Sequence, residues 1–444
     1  MILTFIQISV IICFIGLVIV LFFEEKDYIF YSILLITIAG IISAIFLEEA
    51  RQILFYIDSI EWEVVIFLVA MFIIVEILKE KKFFDEIAIK IVGRFYAHPR
   101  KMFYIICVTS TLMASIVEDL SIAMIFGPII VVAARKLNLS AAPFLLGMTI
   151  CINIAATLTP FGSAPNILIA NELNLDFIWF ISNIGVYFLV TLFLTLVILD
   201  KIILKQEIIR CQNQVCVSEE IDEEVLIYKE KNVQLNFYKN LGALIVFVLL
   251  LIFISEIFLA GILGALIFLI INPVKNKKGK TTISLSYYIN KVDYRLIFFF
   301  ICLFVFVGLM QLNGTITFFE FLLENVSAEN ELVLAFIILI VTSILSGFLD
   351  NTPVTIIFIP IISLLAGLPE FSRGPLIVAF ILGINLGGNF LPQGSAADMM
   401  TLQIAQENDV FNLSYKRLTK VGTLFALLHI FLGMIYLTLM VIFF

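Results

Sequence analysis

Pro160-Phe161-Gly162-Ser163-Ala164 returns 232 positions later as Pro392-Gln393-Gly394-Ser395-Ala396. The same shift puts Pro128 on Pro360, Ala134 on Ala366, Pro143 on Pro375 and Asn153 on Asn385, without a gap. Glu118 lands on Asp350, and Asn166 on Asp398. The chain is therefore written as two copies. In each, Pro and Gly two residues apart interrupt an apolar run, which predicts a helix that unwinds partway along its length. Matched interruptions in two halves of an apolar chain point to a transporter's binding site.

The rest of the composition agrees. Of 444 residues, 62% are hydrophobic and 14% charged, against about 25% charged in a soluble domain. Mean hydropathy is +1.13. Many apolar runs approach the ~20 residues that cross a bilayer, so the fold class is an all-α polytopic membrane protein. The net charge of −8 lies in polar loops and indicates no nucleic-acid partner. Six cysteines are scattered, four of them in apolar segments where a small buried residue is the ordinary reading. Cys211 and Cys216 lie in a polar loop with no companion His or Cys, so metal or redox chemistry is the lesser reading there. His98 and His429 form no evident catalytic pair, and no cofactor is expected.

Spanning helices are expected at about 2–23, 28–47, 62–78, 143–170, 177–199, 240–254, 258–272, 294–310, 375–406 and 418–443. The first lacks a basic stretch before it and is too long for a signal-peptide core. Two blocks, 102–134 and 332–366, are interrupted by acids at their middle and read as helical hairpins that enter the membrane and return. Two short crossings would give the same parity. On this map 25 of the 27 basic residues fall on one side, and only Arg51 and Arg373 on the other. That bias makes the first side cytoplasmic and leaves both termini outside. Each half then holds five crossings and a hairpin, about 10 transmembrane helices in all, so the second copy starts from the opposite face: two inverted-topology repeats, with broken helices at the midplane. The expected domains are an N-terminal repeat (1–200), a linker (201–239) and a C-terminal repeat (240–444). The acidic linker reads as a solvated cytoplasmic connector. Segment 81–96 has the apolar spacing and basic residues of a helix lying on the cytoplasmic surface.

Two pairs of elements carry the chemistry. The hairpin tips read Ser115-Ile116-Val117-Glu118-Asp119-Leu120-Ser121 and Ser346-Gly347-Phe348-Leu349-Asp350-Asn351-Thr352-Pro353. An ionised acid at membrane depth costs several kcal/mol unless water, an ion or a partner meets it. No Lys or Arg lies within ten residues of Glu118, Asp119 or Asp350, so these acids suit cation binding or proton transfer. The bland reading is a helix N-cap, and both can hold. The broken helices contribute Asn153, Thr157, Thr159, Gly162, Ser163 and Asn166 in one copy, and Asn385, Asn389, Gly394, Ser395 and Asp398 in the other. Unwound backbone frees carbonyls for Na⁺ and exposes a half-helix N-terminus to an anion. The alternative is a proline kink whose polar side chains bond back to the backbone. Candidate substrate ligands are therefore Asn153, Thr157, Thr159, Gly162, Ser163, Asn166, Asn351, Thr352, Asn385, Asn389, Gly394 and Ser395. Candidate ion or proton sites are Glu118, Asp119, Ser121, Asp350 and Asp398.

These motifs resemble the ion transporter superfamily, which includes arsenite permeases, sodium–proton antiporters of the NhaD type, citrate–metal transporters and divalent anion–sodium symporters. Gly347-Phe348-Leu349-Asp350-Asn351-Thr352-Pro353 is similar to the D-N-x-P or D-N-x-T tip of the arsenite and antiporter branches. Thr159-Pro160-Phe161-Gly162-Ser163-Ala164-Pro165-Asn166 is similar to their T-P-x-G-x-x-x-N signature. The similarity runs from about 28 to 440. It implies an inverted-repeat secondary transporter with solute between the tips and the breaks. Asp350-Asn351-Thr352 stands where the symporter branch carries Ser-Asn-Thr, which implies a sodium- and substrate-binding role for these three. Dimeric relatives in that branch make a homodimer the default. The chain departs from the pattern at Glu118-Asp119-Leu120, at Leu391 before the second Pro, and at Asp398 where Asn is usual.

The expected function is secondary active transport of a small anion or oxyacid, arsenite-, citrate- or dicarboxylate-like, coupled to Na⁺ or H⁺. Exchange of Na⁺ for H⁺ is the alternative, favoured by the local acids. No nucleotide-binding G-x-x-x-x-G-K-[ST] loop marks a primary pump. An intramembrane enzyme would need a nucleophile–base pair or metal cluster that the sequence does not offer.

Overall fold

A computed structural model describes residues 4–20, 28–95, 98–117, 119–137, 139–213, 231–254, 256–275, 281–292, 294–315, 331–349, 351–367 and 371–443. It is nearly all helix. Strand among the described residues is limited to Val274–Lys275 paired antiparallel with Thr281–Thr282.

The long apolar runs form helices close to the expected bounds: Phe5–Val20, Tyr28–Phe46, Trp62–Glu80, Phe177–Leu199, Ile257–Ile271, Tyr294–Leu312 and Tyr415–Phe443; the helix expected at 240–254 starts earlier, as Lys231–Phe253. Each hairpin block gives two helices. The first gives Pro99–Ala114 and Asp119–Lys136, the second Glu331–Phe348 and Asn351–Gly367. Pro160 and Pro392 break their helices as their chemistry requires. One becomes Ala142–Ala155 and Ala164–Glu172, the other Arg373–Gly387 and Ala396–Glu407. Within the segment 81–96, Phe83–Phe95 forms the expected helix, with Lys90 over the ring of Phe237 at 3.6 Å. The described parts of the linker are helical: it runs on as helix to Asn213, and residues 231–239 open the helix Lys231–Phe253. Its acids from Glu219 to Glu224 lie outside the described residues.

Backbone contacts divide the chain into two compact units, and each draws on both sequence halves. The first comprises Met1–Ile77, Val246–Glu329 and Ile356–Leu368; the second comprises Leu78–Ile245, Asn330–Thr355 and Pro369–Phe444. In the first unit small residues let apolar helices approach. A Cβ on Gly264 would fall 2.3 Å from the Phe247 ring, and one on Gly261 2.7 Å from Phe67.

The second unit carries every described candidate residue. Helices Glu331–Phe348 and Arg373–Gly387 touch through backbone. A Cβ on Gly387 would lie 2.3 Å from the Ser343 carbonyl oxygen, and one on Gly383 3.0 Å from that of Leu339. The two broken helices run antiparallel. Arg373, at the start of one, donates to the carbonyl of Leu173, just past the end of the other. Ser140, before the start of the first, donates to the carbonyl of Phe411, beyond the end of the second, at 2.9 Å. The long helices that follow also run antiparallel, with Tyr436 donating to the Asn183 carbonyl (2.6 Å) and Tyr187 to that of His429 (2.8 Å). On Phe177–Leu199 the side chains of Val186, Leu189 and Phe193 are exposed, an outer face suited to lipid. Four described stretches are long and apolar enough to cross a bilayer: Ile29–Phe46, Phe177–Ile209, Glu331–Phe348 and Tyr415–Phe443.

Candidate functional site

Between residues 156 and 163, and again between 388 and 395, the chain leaves the helix and then re-enters it. Ser163 and Ser395 hold the N-cap position of the second half-helices with extended backbone (φ −153° and −145°), yet neither hydroxyl caps its own helix. Both donate to the opposite copy. Ser395 Oγ bonds Asn153 Oδ1 at 2.8 Å, and Ser163 Oγ bonds Asn385 Oδ1 at 2.9 Å. The two asparagines answer in kind. Asn385 Nδ2 donates to Asn166 Oδ1 at 2.8 Å, and Asn153 Nδ2 makes a longer contact of 3.4 Å to Asp398 Oδ1. Each of these four contacts thus has its counterpart 232 positions away, the pattern a two-fold rotation generates.

The remaining contacts differ between copies. Asn166 Nδ2 spans the first break, donating to the carbonyls of Ala156 (2.6 Å) and Thr159 (2.9 Å). An ionised Asp398 cannot do this, since a carboxylate only accepts. Its Oδ1 takes the hydroxyl of Thr149 as well as the Asn153 amide, and Oδ2 accepts no bond among the described residues. Asp398 is only 1% exposed, and no Lys or Arg among the described residues pairs with it. Asn153 also donates to Asn389 Oδ1 at 3.0 Å, while buried Asn389 Nδ2 has no partner among the described residues. Such a group is costly unless something completes it.

The tips meet these breaks. The Asn351 amide nitrogen faces the carbonyls of Ile384 (2.8 Å) and Gly394 (3.1 Å), and Ser346 Oγ at 2.5 Å. Those neighbours fix its orientation. Gly394 lies so close beneath tip two that a Cβ would fall 2.7 Å from the Ser346 carbonyl. At tip one, Thr159 Oγ1 donates to the Ser115 carbonyl. Asp119 opens the helix Asp119–Lys136, which packs against Ala396–Glu407, and its charge acts on Asp398. Thr157 bonds back to Ile154 in its own turn, as a kink residue does. Gly162 packs tightly on the Ala155 carbonyl. Ser121 and Thr352 are buried near their tips. Glu118 and Asp350 lie outside the described residues.

Sequence reasoning missed Thr149 and Ser346. Their counterparts under the shift are Ile381 and Ala114, so the repeat gave no signal at either.

A family model described as citrate transporter (CitMHS) matches residues 17–383 and 282–444. The chain belongs to the citrate transporter family. It is therefore a multi-pass membrane transporter and not an enzyme, as the paired motifs implied. Relatives of this citrate transporter family member include the "46 kDa membrane protein" of Mycobacterium leprae, 25% identical over 85% of this chain and 86% of that one. The human P protein is 22% identical over 86% of this chain and 54% of its own length. Among solved structures, the YdaH transporter of Alcanivorax borkumensis, described as having an unusual topology, superposes with a TM-score of 0.63 at 11% identity, over 87% of each chain. That likeness establishes a shared transporter fold.

Proposed function

We propose that this family member is a secondary active transporter moving a small anion or oxyacid, citrate-, dicarboxylate- or arsenite-like, coupled to Na⁺ or H⁺ by alternating access. One observation carries the reading. A buried donor without a partner, Asn389 Nδ2, stands next to an unpaired buried acid, Asp398, where two antiparallel helices are broken. An irregular backbone at membrane depth is tolerated where it lines a cavity or is packed in protein, and this one leaves polar atoms for a solute to complete. The anion would meet Asn389 and the N-termini of the half-helices, which carry positive partial charge. The acid makes an accompanying cation necessary. The family's name favours citrate as the first compound to try.

In this reading the asparagines, serines and threonines of the breaks and of tip two hold substrate, and Glu118, Asp119, Ser121, Asp350 and Asp398 serve the coupling ion. The repeats are inverted in the membrane, a disposition supported by the antiparallel broken helices. The linker is cytoplasmic, both termini are outside, and the protein is a homodimer. Exchange of Na⁺ for H⁺ is the second reading, favoured by the two acids Asp119 and Asp398 acting on each other from opposite copies.

Uptake of labelled citrate, succinate, sulfate and arsenite into proteoliposomes, with Na⁺ and H⁺ gradients imposed separately, tests the proposal. Concentrative uptake of one of them, driven by one gradient and lost in Asp350→Asn protein that still folds and inserts, is the expected result. Na⁺/H⁺ exchange with no anion uptake selects the second reading. A flux indifferent to both gradients defeats both.

A further inference from the structure

The wholly buried helix Ala142–Ala155 has two working faces. Thr149 and Asn153, one turn apart, meet Asp398 of the other copy. Gly147 and Cys151, also one turn apart, share a different face. That face is turned to Pro99–Ala114, the helix that enters tip one. Phe103 meets Phe144 edge-on at 6.0 Å. A Cβ on Gly147 would fall 2.5 Å from the Phe103 ring and 2.9 Å from Cys107 Sγ.

Both copies give the register of this seam. At tip one, Thr159 bonds the Ser115 carbonyl across a separation of 44 residues. In copy two, Gly387 is pressed on Ser343 and Gly383 on Leu339, each pair again 44 apart. Moving Leu339 and Gly383 back by 232 gives Cys107 and Cys151. The two cysteines therefore face each other across the seam, and their thiols are in hydrogen-bonding contact. Both are 0% exposed and neither is in a disulfide.

Two thiols brought together from separate helices can hold one atom between them, and burial decides which atom suits. A soft metal ion takes thiolates and leaves a charged complex, which an apolar seam penalises. A disulfide needs an oxidant, and its sulfurs must close to about 2.05 Å. Trivalent arsenic hydroxide, As(OH)₃, needs neither. It is uncharged in neutral solution and condenses with thiols in their protonated form. Two As–S bonds form, two As–OH bonds break, and each departing hydroxyl leaves with a thiol proton as water. Arsenic stays trivalent, and the product, (RS)₂AsOH, is neutral.

We propose that Cys107 and Cys151 form a dithiol site that captures one As(III) atom and staples the helix Pro99–Ala114 to the helix Ala142–Ala155. The site is separate from the polar lattice at Asn153 and Asp398, on another face of the same helix. It does not depend on which solute the protein carries.

Cys211 and Cys216 are close in sequence and offer a competing pair, so the test uses full-length protein carrying Cys13→Ala, Cys302→Ala, Cys211→Ser and Cys216→Ser. The folded protein in detergent is treated with sodium arsenite and freed of excess reagent. Bound arsenic is counted by elemental mass spectrometry, free thiols are titrated, and thermal unfolding is followed. The expected result is one arsenic per chain, loss of both thiols, and a Tm raised by at least about 3 °C, as a cross-link between distant residues provides. Excess dithiothreitol should reverse all three. Adding Cys107→Ser or Cys151→Ser should lower bound arsenic at least tenfold. A folded protein that takes up no arsenic overturns the site, as does full uptake by either single-thiol variant or an adduct that lowers Tm. Wild type treated in the same way and digested provides the second measurement. Arsenic joining the peptides that hold Cys107 and Cys151 supports the site, and arsenic found only on other cysteines overturns it.

Discussion

Asn153 and Asn385 stand 232 positions apart in sequence, and each is held by a serine hydroxyl from the other's copy, at 2.8 and 2.9 Å. Each broken helix is thus fixed by its twin. Neither break can relax alone without leaving buried polar groups unbonded.

Replacement of either asparagine by alanine should therefore have matching effects. Each of Asn153→Ala and Asn385→Ala strands a buried serine hydroxyl and at least one other polar group, a loss of about 1–3 kcal/mol per orphaned group. Thermal unfolding in detergent should show comparable drops for both, with transport lost. A drop in only one would mean that the lattice is not shared.

Gly387→Ala should destabilise by about 1–3 kcal/mol through overpacking, because its new Cβ would fall 2.3 Å from the Ser343 carbonyl oxygen. Gly242→Ala is the control. Nothing lies within 4 Å of the Cβ it would add, and in a helix interior alanine is favoured over glycine by roughly 0.5–1 kcal/mol. The two substitutions should shift Tm in opposite directions.

Thr149→Val removes a hydroxyl that donates to buried Asp398 while nearly preserving volume. The coupling ion's apparent affinity should change about 5–10-fold, the equivalent of one hydrogen bond of ~1–1.5 kcal/mol. Thr149→Ser should restore it. Ion-dependence curves of uptake for the three proteins provide the comparison.

Arg373→Ala takes the donor from the Leu173 carbonyl, where the start of one broken helix meets the end of the other. Stability should fall, while the concentration of substrate giving half-maximal uptake stays unchanged, since Arg373 touches none of the site residues. A large change in that concentration would place Arg373 in the substrate path.

Much of this was legible in the sequence. The helix Phe177–Leu199 has the bounds its apolar run announced, and Pro-x-Gly located both breaks because proline removes an amide donor wherever it stands. Partners across the copies were not legible. That Ser395 meets Asn153 rather than its own helix end depends on the antiparallel packing of segments more than two hundred residues apart. Thr149 was hidden for a different reason. It sits in a wholly buried helix, where a threonine is ordinarily satisfied by its own backbone, as Thr157 is. Only the placement of Asp398 opposite gives it a different role.

The glycine seam between Glu331–Phe348 and Arg373–Gly387 has a mechanical consequence. With Gly383 and Gly387 pressed on the carbonyls of Leu339 and Ser343, and Gly394 beneath that of Ser346, there is no lubricating layer of side chains along which these parts could slip. Tip two and the second break form one plate. A gate on this side would have to carry tip two and the second break together.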